Sequence, residues 1–258
     1  DLLIVNPNLN SETVKFLYQM LKNCNSKSYE INKSRMVRVS NFSKKCLLEL
    51  EKDLDIFYEQ RKQGSLLLFK STKQIENIKK DLSLLEKLNI QHELLDLNGC
   101  IQAEPGLHHV KSEFTAGLRF ANDCTGNCYL FTNQLYKKCL EMGVKFEFNT
   151  HIEDILIEKE RVSAIKTNRG EFVSDSYIVA LGSYSSKILS KVGIHIPVYP
   201  VKGYSITLPV LNNEDAPQST IIDDTFKIGI TRLGNNIRVA GTAHLTSYNL
   251  ELREKSLS

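Results

Sequence analysis

Residues 177–206 have the sequence YIVALGSYSSKILSKVGIHIPVYPVKGYSI. It begins with a short apolar run, breaks at Gly182, and continues with the helical spacing of Ile188, Leu189 and Val192. A strand that ends at a glycine and turns into a helix is where α/β proteins bind nucleotide cofactors, because glycine allows close backbone approach and the helix start presents free N–H groups. The pattern alone is unspecific, since many strand–turn–helix units only pack in a core.

Composition sets the limits within which this stretch is interpreted. A chain of 258 residues can bury a sizeable core as one large domain or two smaller ones. Its 33 basic residues nearly balance its 30 acidic residues, so no global field favours nucleic acid, and no nucleic-acid partner is expected. The N-terminal DLLIVNPNLN has no basic n-region and too short an apolar run for a signal peptide, and the absence of an initiator Met favours a processed or partial product.

Upstream of this stretch the pattern predicts helices and short strands. Helical spacing covers residues 11–24, a longer segment to about Phe57, and residues 72–88, while 65–69 and 92–95 are predicted as strands. On the first helix Val14, Leu17, Leu21 and Cys24 fall on one face, and on the second Val39, Phe42, Cys46, Leu50 and Leu54 recur at spacings of three and four. These segments indicate architecture and no chemistry.

The region just before the stretch predicts one half of a parallel α/β unit. Leu130–Met142 is predicted as a helix that buries Phe131, Leu135, Cys139 and Met142 and ends at Gly143. The next residues, 144–148, alternate strictly between apolar and charged side chains and are predicted as a strand. A hairpin is predicted around residues 168–170, and 177–181 is expected to return as a buried parallel strand.

Beyond Pro200 the pattern changes to strands only. Strands are predicted at 203–209, 219–223, 226–231 and 236–241, with a hairpin turn at Gly234-Asn235. This order predicts a second, antiparallel layer that could cover a ligand.

No metal site is predicted. His108 and His109 are neighbours, and on the expected strand they would point to opposite faces, which makes them poor joint ligands. Cys124 and Cys128 have no second ligand pair at a suitable distance. The six cysteines are scattered and are interpreted as free thiols of a reducing cytoplasm.

Several segments, taken together and in this order, resemble a known family. They are ANDCTGNCYLFTNQL, GVKFEFNTHI, VALGSYSSKIL, PVYPVKGYSITLP and STIIDDTFKIGITRLGNNIRVAGTA. The chain is similar nearly end to end to the bacterial D-amino acid dehydrogenase small subunits, a branch of the FAD-dependent D-amino acid oxidase/glycine oxidase group.

The resemblance implies a fold that is α/β plus α+β. A partial FAD-binding (Rossmann-like) domain is interleaved with an antiparallel-sheet substrate domain. Four stretches follow from it: 1–64 as a helical segment, 65–120 as the first part of the substrate domain, 121–200 as the FAD-binding portion, and 201–258 as the second part of the substrate domain.

The resemblance also implies which residues lie against FAD. Three clusters are expected: a strand end against the adenine, an A-x-G turn at the edge of the flavin nucleotide, and the strand start that leads into the substrate domain. In this chain they are Thr150 and Ile152, then Ala180, Gly182, Ser183 and Tyr184, and then Lys202 and Gly203. No catalytic residue is identified.

The chain departs from the family pattern at three places. The G-x-G-x-x-G turn that holds the FAD pyrophosphate is absent from the sequence, and so is the segment with the Arg that clamps the substrate carboxylate. The family's N-D-E-T-G-D-C motif has Cys124 and Asn127 in place of two carboxylates. Residues 1–258 alone are therefore expected to be colourless when purified.

The activity implied by the resemblance is FAD-dependent oxidative deamination of D-amino acids, such as D-alanine, to 2-oxo acids and ammonia. Electrons would pass to a membrane quinone or other acceptor, which implies a cytoplasmic protein, peripheral on the inner face of the plasma membrane. Two alternatives stay open: a relative that oxidises glycine or sarcosine-type amines, and a truncated, inactive remnant that binds no flavin.

Overall fold

The computed structural model describes residues 3–5 and 11–252. The helices are α1 (Ser11–Asn23), α2 (Ser26–Leu54), α3 (Thr72–Lys87), α4 (Leu97–Ala103), α5 (Cys128–Glu141) and α6 (Ser185–Ser190), with 3-10 helices at Pro105–Val110 and Gly182–Tyr184. The strands are β1 (Leu3–Val5), β2 (Ser65–Phe69), β3 (Glu93–Asp96), β4 (Ala116–Phe120), β5 (Ile152–Glu158), β6 (Arg161–Thr167), β7 (Gly170–Phe172), β8 (Lys202–Pro209), β9 (Thr220–Asp223), β10 (Ile228–Leu233) and β11 (Asn236–Leu245). None of these helices is both long and apolar enough to cross a bilayer.

The larger sheet has eight strands in the order β1-β11-β10-β9-β2-β4-β3, and β8 also pairs with β11. The predicted hairpin is present, because Leu233 and Asn236 pair across the turn between β10 and β11. The sheet is mixed, since β1 runs parallel to β11 and β2 runs parallel to β9. Strands from residues 65–120 and 202–245 thus share one sheet, while the division of the chain into four stretches stays a prediction.

The core lies on both faces of β2, because alternate side chains of a strand point to opposite sides. Leu66 and Leu68 pack with Cys100 of α4 on one face. Phe69 packs with Ile78 of α3 on the other face. The capping box of α3, in which Ser71 and Gln74 exchange hydrogen bonds, fixes where that helix begins.

A buried carboxylate joins the 3-10 helix to the start of β9. Glu104 is 1% exposed and accepts hydrogen bonds from the backbone N–H groups of Gln218 (2.7 Å) and Ser219 (2.5 Å) and from the Ser219 hydroxyl. Since Thr220 is the next residue and pairs with Ser65, this carboxylate places β9 beside β2.

The smaller sheet is the antiparallel set β5-β6-β7. The predicted hairpin around residues 168–170 is confirmed, with Thr167 paired to Gly170 and its hydroxyl donating to the Gly170 carbonyl at 2.7 Å.

Two predicted strands are wrong. Residues 144–148 and 177–181 are outside any strand, and no strand in the part of the chain that the structure describes pairs with them. Their apolar side chains are open to solvent, with Phe148 60% and Ile178 93% exposed. The apolar pattern meets only half of what a strand needs, because a strand also requires a neighbour for its backbone hydrogen bonds.

The apolar faces of α1, α2 and α5 are only partly covered, and of the face predicted to be buried on α5, Phe131, Leu135 and Cys139 are half-buried. Val14 and Leu21 of α1 are 51% and 67% exposed, and Phe42 of α2 is 68% exposed. Met142, just after α5, is 78% exposed. On α1 the buried residue is Thr13. Helical spacing therefore predicts these helices correctly but not the surfaces that they pack against.

Candidate functional site

The site begins at the turn between the exposed Ala180 and helix α6. Gly182 has φ +55°, a backbone conformation that residues with a Cβ adopt only at a cost in free energy. A Cβ added to Gly182 would meet no atom within 4 Å, so this side of the turn is open. The Ser185 hydroxyl accepts from the Leu181 N–H at 3.2 Å and holds the turn from the other side.

The cluster expected to lie against the adenine is at the start of β5. Thr150 is half-buried, and its hydroxyl donates to the Phe148 carbonyl at 3.3 Å. Ile152 is half-buried and pairs with Thr167. Between them, the His151 N–H donates to the Asn168 side chain at 2.7 Å. This strand end is therefore anchored to the β6–β7 hairpin.

The third cluster is the first two residues of β8. The Lys202 ammonium donates to the backbone carbonyls of Asn249 (3.1 Å) and Glu251 (2.6 Å). Its charge is committed to holding the chain after β11. A Cβ on Gly203 would lie 3.6 Å from the carbonyl oxygens of Gly241 and Thr242, which is ordinary contact. Gly203 is therefore not required by its packing.

Side chains around α6 join the three clusters. The Tyr248 hydroxyl donates to the Ser183 carbonyl at 2.8 Å, and its ring lies 5.0 Å from that of Tyr184. Because Asn249 is the next residue and binds Lys202, the turn and the start of β8 share one support. The Lys191 ammonium donates to the carbonyl of Glu153, next to Ile152. Reasoning from the sequence missed Tyr248, which no periodic pattern marks.

One departure from the family motif is Asn127 in place of a carboxylate, and its contacts in the loop at residues 122–128 account for it. The Asn127 side chain accepts from the N–H groups of Tyr129 (3.2 Å) and Leu130 (3.3 Å) and so caps α5. Its amide donates to the Glu59 carboxylate at 3.0 Å. An Asp at this position would place a second carboxylate against Glu59, so the amide suits this environment.

Two titratable residues, Tyr58 and Glu51, form a hydrogen-bonded pair next to the same loop. Burial raises the pKa of the Tyr58 phenol, and the neighbouring Glu51 carboxylate adds to the shift. Burial also raises the pKa of Glu51, but hydrogen bonds from Tyr58 and Lys62 outweigh it and leave that pKa below its ordinary value. The Tyr58 ring lies against Gly126, where an added Cβ would be 2.2 Å from its Cε2.

The adjacent histidines had been expected on a strand, and this expectation is wrong. Pro105 begins a 3-10 helix that carries both His108 and His109, and the His109 ring lies 2.9 Å from the Asp215 carboxylate. Within residues 3–5 and 11–252, no group of three or more His, Cys, Asp or Glu side chains could hold a metal ion.

The turn at Gly182 presents an open backbone surface. The open side of Gly182 leaves room for a ligand against bare backbone, and the exposed Ala180 extends that surface. The sequence contains no G-x-G-x-x-G turn to hold a pyrophosphate. We call the open backbone surface at Ala180 and Gly182 the Gly182 wall, and the cofactor contacts expected of the three clusters stay predictions.

The fold is similar to those of several solved structures. Glycine oxidase from Bacillus cereus superposes with a TM-score of 0.71 at 18% identity, covering 87% of this chain and 60% of that chain. L-proline dehydrogenase from P. horikoshii superposes with a TM-score of 0.69 at 18% identity, covering 91% of this chain and 60% of that chain. These similarities show the fold alone, and they confirm the predicted fold class.

Residues 12–256 match the family described as FAD dependent oxidoreductase, and the chain belongs to that family. The cofactor of the family is FAD, as predicted. The chain is 44% identical over 250 residues to the D-amino acid dehydrogenase of Azorhizobium caulinodans, covering 97% of this chain and 60% of that protein. It is 43% identical over 250 residues to the D-amino acid dehydrogenase of Bradyrhizobium diazoefficiens, covering 97% of this chain and 59% of that protein. The predicted resemblance is confirmed, and the chain spans about three fifths of the length of these curated relatives.

Proposed function

We propose that the protein containing this chain is an FAD-dependent D-amino acid dehydrogenase that converts a D-amino acid, such as D-alanine, to the 2-oxo acid and ammonia. The observation that carries the proposal is the 44% identity to a D-amino acid dehydrogenase over 97% of the chain. The open backbone wall at Gly182 supports it, because this wall lies where the family resemblance expects FAD.

The chemistry that FAD supplies when bound is acceptance of a hydride from the α-carbon of the amino acid. The amine loses that hydride and a proton and becomes an imino acid, which water hydrolyses to the 2-oxo acid and ammonia. The residues of this chain bind and orient. Gly182 allows close approach of the nucleotide, Thr150 and Ile152 offer a half-buried strand end, and Lys202 holds the start of β8.

The electrons would then pass to a quinone or another acceptor at the membrane. The protein would accordingly be cytoplasmic and peripheral on the inner face of the plasma membrane. Both statements rest on the family resemblance. They are tested by fractionation of cells and by quinone reduction with D-alanine as donor.

Glycine or a secondary amine such as sarcosine is the competing substrate class. The observation that favours it is the TM-score of 0.71 to a glycine oxidase, a similarity of fold at 18% identity. Reduction of the bound flavin by glycine or sarcosine and not by D-alanine would select this alternative. A protein that retains no flavin at all would instead be the inactive remnant.

Gly182 offers the sharpest test of the cofactor wall. In the full-length protein, Gly182→Ala should lower FAD retention, because the added methyl points into the space proposed for the nucleotide. Gly193→Ala is the matched control, since Gly193 also has positive φ (+79°) and nothing within 4 Å of an added Cβ. Both variants should lose about 1–2 kcal/mol of stability from backbone strain. Equal FAD content in the two variants would contradict the proposed wall.

A further inference from the structure

A cleft separates α1 from α6 and the extended segment after it. Its volume is about 680 Å³, within the range of small-molecule sites. Its floor is formed by Phe16 and Tyr199, whose rings stack with centroids 4.8 Å apart at an interplanar angle of 22°. Ile196 and Val198 add aliphatic surface, and Tyr248 closes one side.

The tyrosines in this cleft present ring faces and not hydroxyl groups. The Tyr199 hydroxyl forms a hydrogen bond with the Thr13 hydroxyl at 2.8 Å and accepts from the Ser247 N–H at 3.0 Å. The Tyr248 hydroxyl donates to the Ser183 carbonyl at 2.8 Å. The tyrosine hydroxyls are therefore already hydrogen-bonded within the protein, and a ligand in the cleft would contact the aromatic rings.

The rim of the cleft is positively charged. Lys15, Lys187 and Lys191 line it, and Glu12 is the one carboxylate among its lining residues in the part of the chain that the structure describes. In that same part, none of these lysines has a carboxylate within 4.0 Å of its ammonium. The Lys187 ammonium lies 3.4 Å from the centre of the Tyr248 ring. Cations gathered at the mouth of an apolar cleft attract an anion.

We propose that this cleft binds a small organic anion with a flat apolar body, of the aromatic carboxylate class, at a site separate from the Gly182 wall. The stacked rings of Phe16 and Tyr199 recognise the flat body. Lys15 and Lys187 recognise the charge, whereas the Lys191 ammonium is held by the Glu153 carbonyl and only adds to the positive field. A small anion such as acetate satisfies only the lysines, and a neutral aromatic satisfies only the rings. The two halves of the recognition can therefore be tested separately.

The test is calorimetric titration of the full-length protein with 2-naphthoate, its neutral analogue 2-naphthamide, and acetate. 2-Naphthoate should bind at least about twofold more tightly than 2-naphthamide, since each exposed charge pair contributes roughly 1.4- to 5-fold in affinity. It should also bind more tightly than acetate, which lacks the flat ring that Phe16 and Tyr199 recognise. Added salt should weaken naphthoate binding and leave naphthamide binding unchanged.

Lys15→Gln should weaken 2-naphthoate by about two- to fivefold, and Lys15→Gln with Lys187→Gln by more, because each change removes one rim charge. Lys22→Gln on the same helix is the matched control, since Lys22 is exposed outside the cleft, and it should leave the affinity unchanged. Circular dichroism of each variant establishes that it is folded.

Three results would overturn the proposal: no binding of 2-naphthoate, equal binding of 2-naphthamide, or equal affinities in the Lys15 and Lys22 variants. Saturating D-alanine should leave naphthoate affinity unchanged. Competition by D-alanine would instead make the cleft the substrate site, which would overturn the separate site without contradicting the proposed oxidation of D-amino acids.

Discussion

Replacing Glu104 by Gln should destabilise the protein more than any surface exchange of the same kind. One carboxylate oxygen accepts from the Gln218 N–H, and the other accepts from the N–H and hydroxyl of Ser219. Gln keeps one oxygen and places an NH₂ group where the second oxygen was, so a donor faces a donor. One charge-assisted hydrogen bond is lost and the others are weakened.

The expected cost is about 2–3 kcal/mol, because a hydrogen bond to a charged group contributes roughly 1.5–3 kcal/mol and the side chain is too buried for water to replace it. For a domain of this size the melting temperature should fall by about 4–12 °C. The assay is thermal and urea unfolding followed by circular dichroism at the helix band.

Glu113→Gln is the matched control for this exchange. Glu113 lies nine residues further on and is exposed, so its replacement should change stability by less than about 0.5 kcal/mol. If Glu104→Gln also changes the free energy of unfolding by less than about 0.5 kcal/mol, then the Glu104 carboxylate does not hold β9 beside β2.

Two further predictions concern the support beneath the loop at residues 122–128. Gly126→Ala should cost about 1–3 kcal/mol of stability, because its methyl would lie 2.2 Å from Cε2 of Tyr58, a ring that is 5% exposed and cannot move aside. Gly229→Ala is the control and should be neutral, since its added Cβ would lie 3.9 Å from the nearest atom. Similar urea midpoints for the two variants would count against overpacking at Gly126. The lowered pKa of Glu51 means that its contribution to stability is present above its ordinary pKa of 4.5 and is lost as the pH falls through the folded value. Glu51→Gln should accordingly flatten the fall in melting temperature between about pH 6 and 3, and an unchanged acid limb would argue against the bonds from Tyr58 and Lys62.

Local signals in the sequence predicted most of the elements. Helical spacing at residues 72–88 predicted α3, which the structure places at Thr72–Lys87, and the helix predicted at 130–142 is α5. The β10–β11 hairpin follows from Gly234-Asn235 between two apolar runs. These features depend on residues a few positions apart, so a single sequence contains the information needed to predict them.

Features that depend on distant residues were not predictable in this way. The strand predicted at 177–181 has no neighbour among the described strands, and apolar spacing says nothing about neighbours. The family resemblance identified Lys202 as a cofactor residue, yet its ammonium binds carbonyls 47 and 49 positions away. The link from Tyr248 to Ser183 spans 65 positions and joins the candidate wall to the sheet. Such contacts become visible only in three dimensions.

The central claim is that the protein containing this chain uses FAD to oxidise D-amino acids. The most direct measurement is the absorbance of the purified full-length protein under anaerobic conditions, at the flavin band near about 450 nm, before and after addition of D-alanine. D-alanine should bleach this band, and L-alanine should leave it unchanged. A flavin band that D-alanine does not bleach would show that the protein does not oxidise D-alanine with this cofactor.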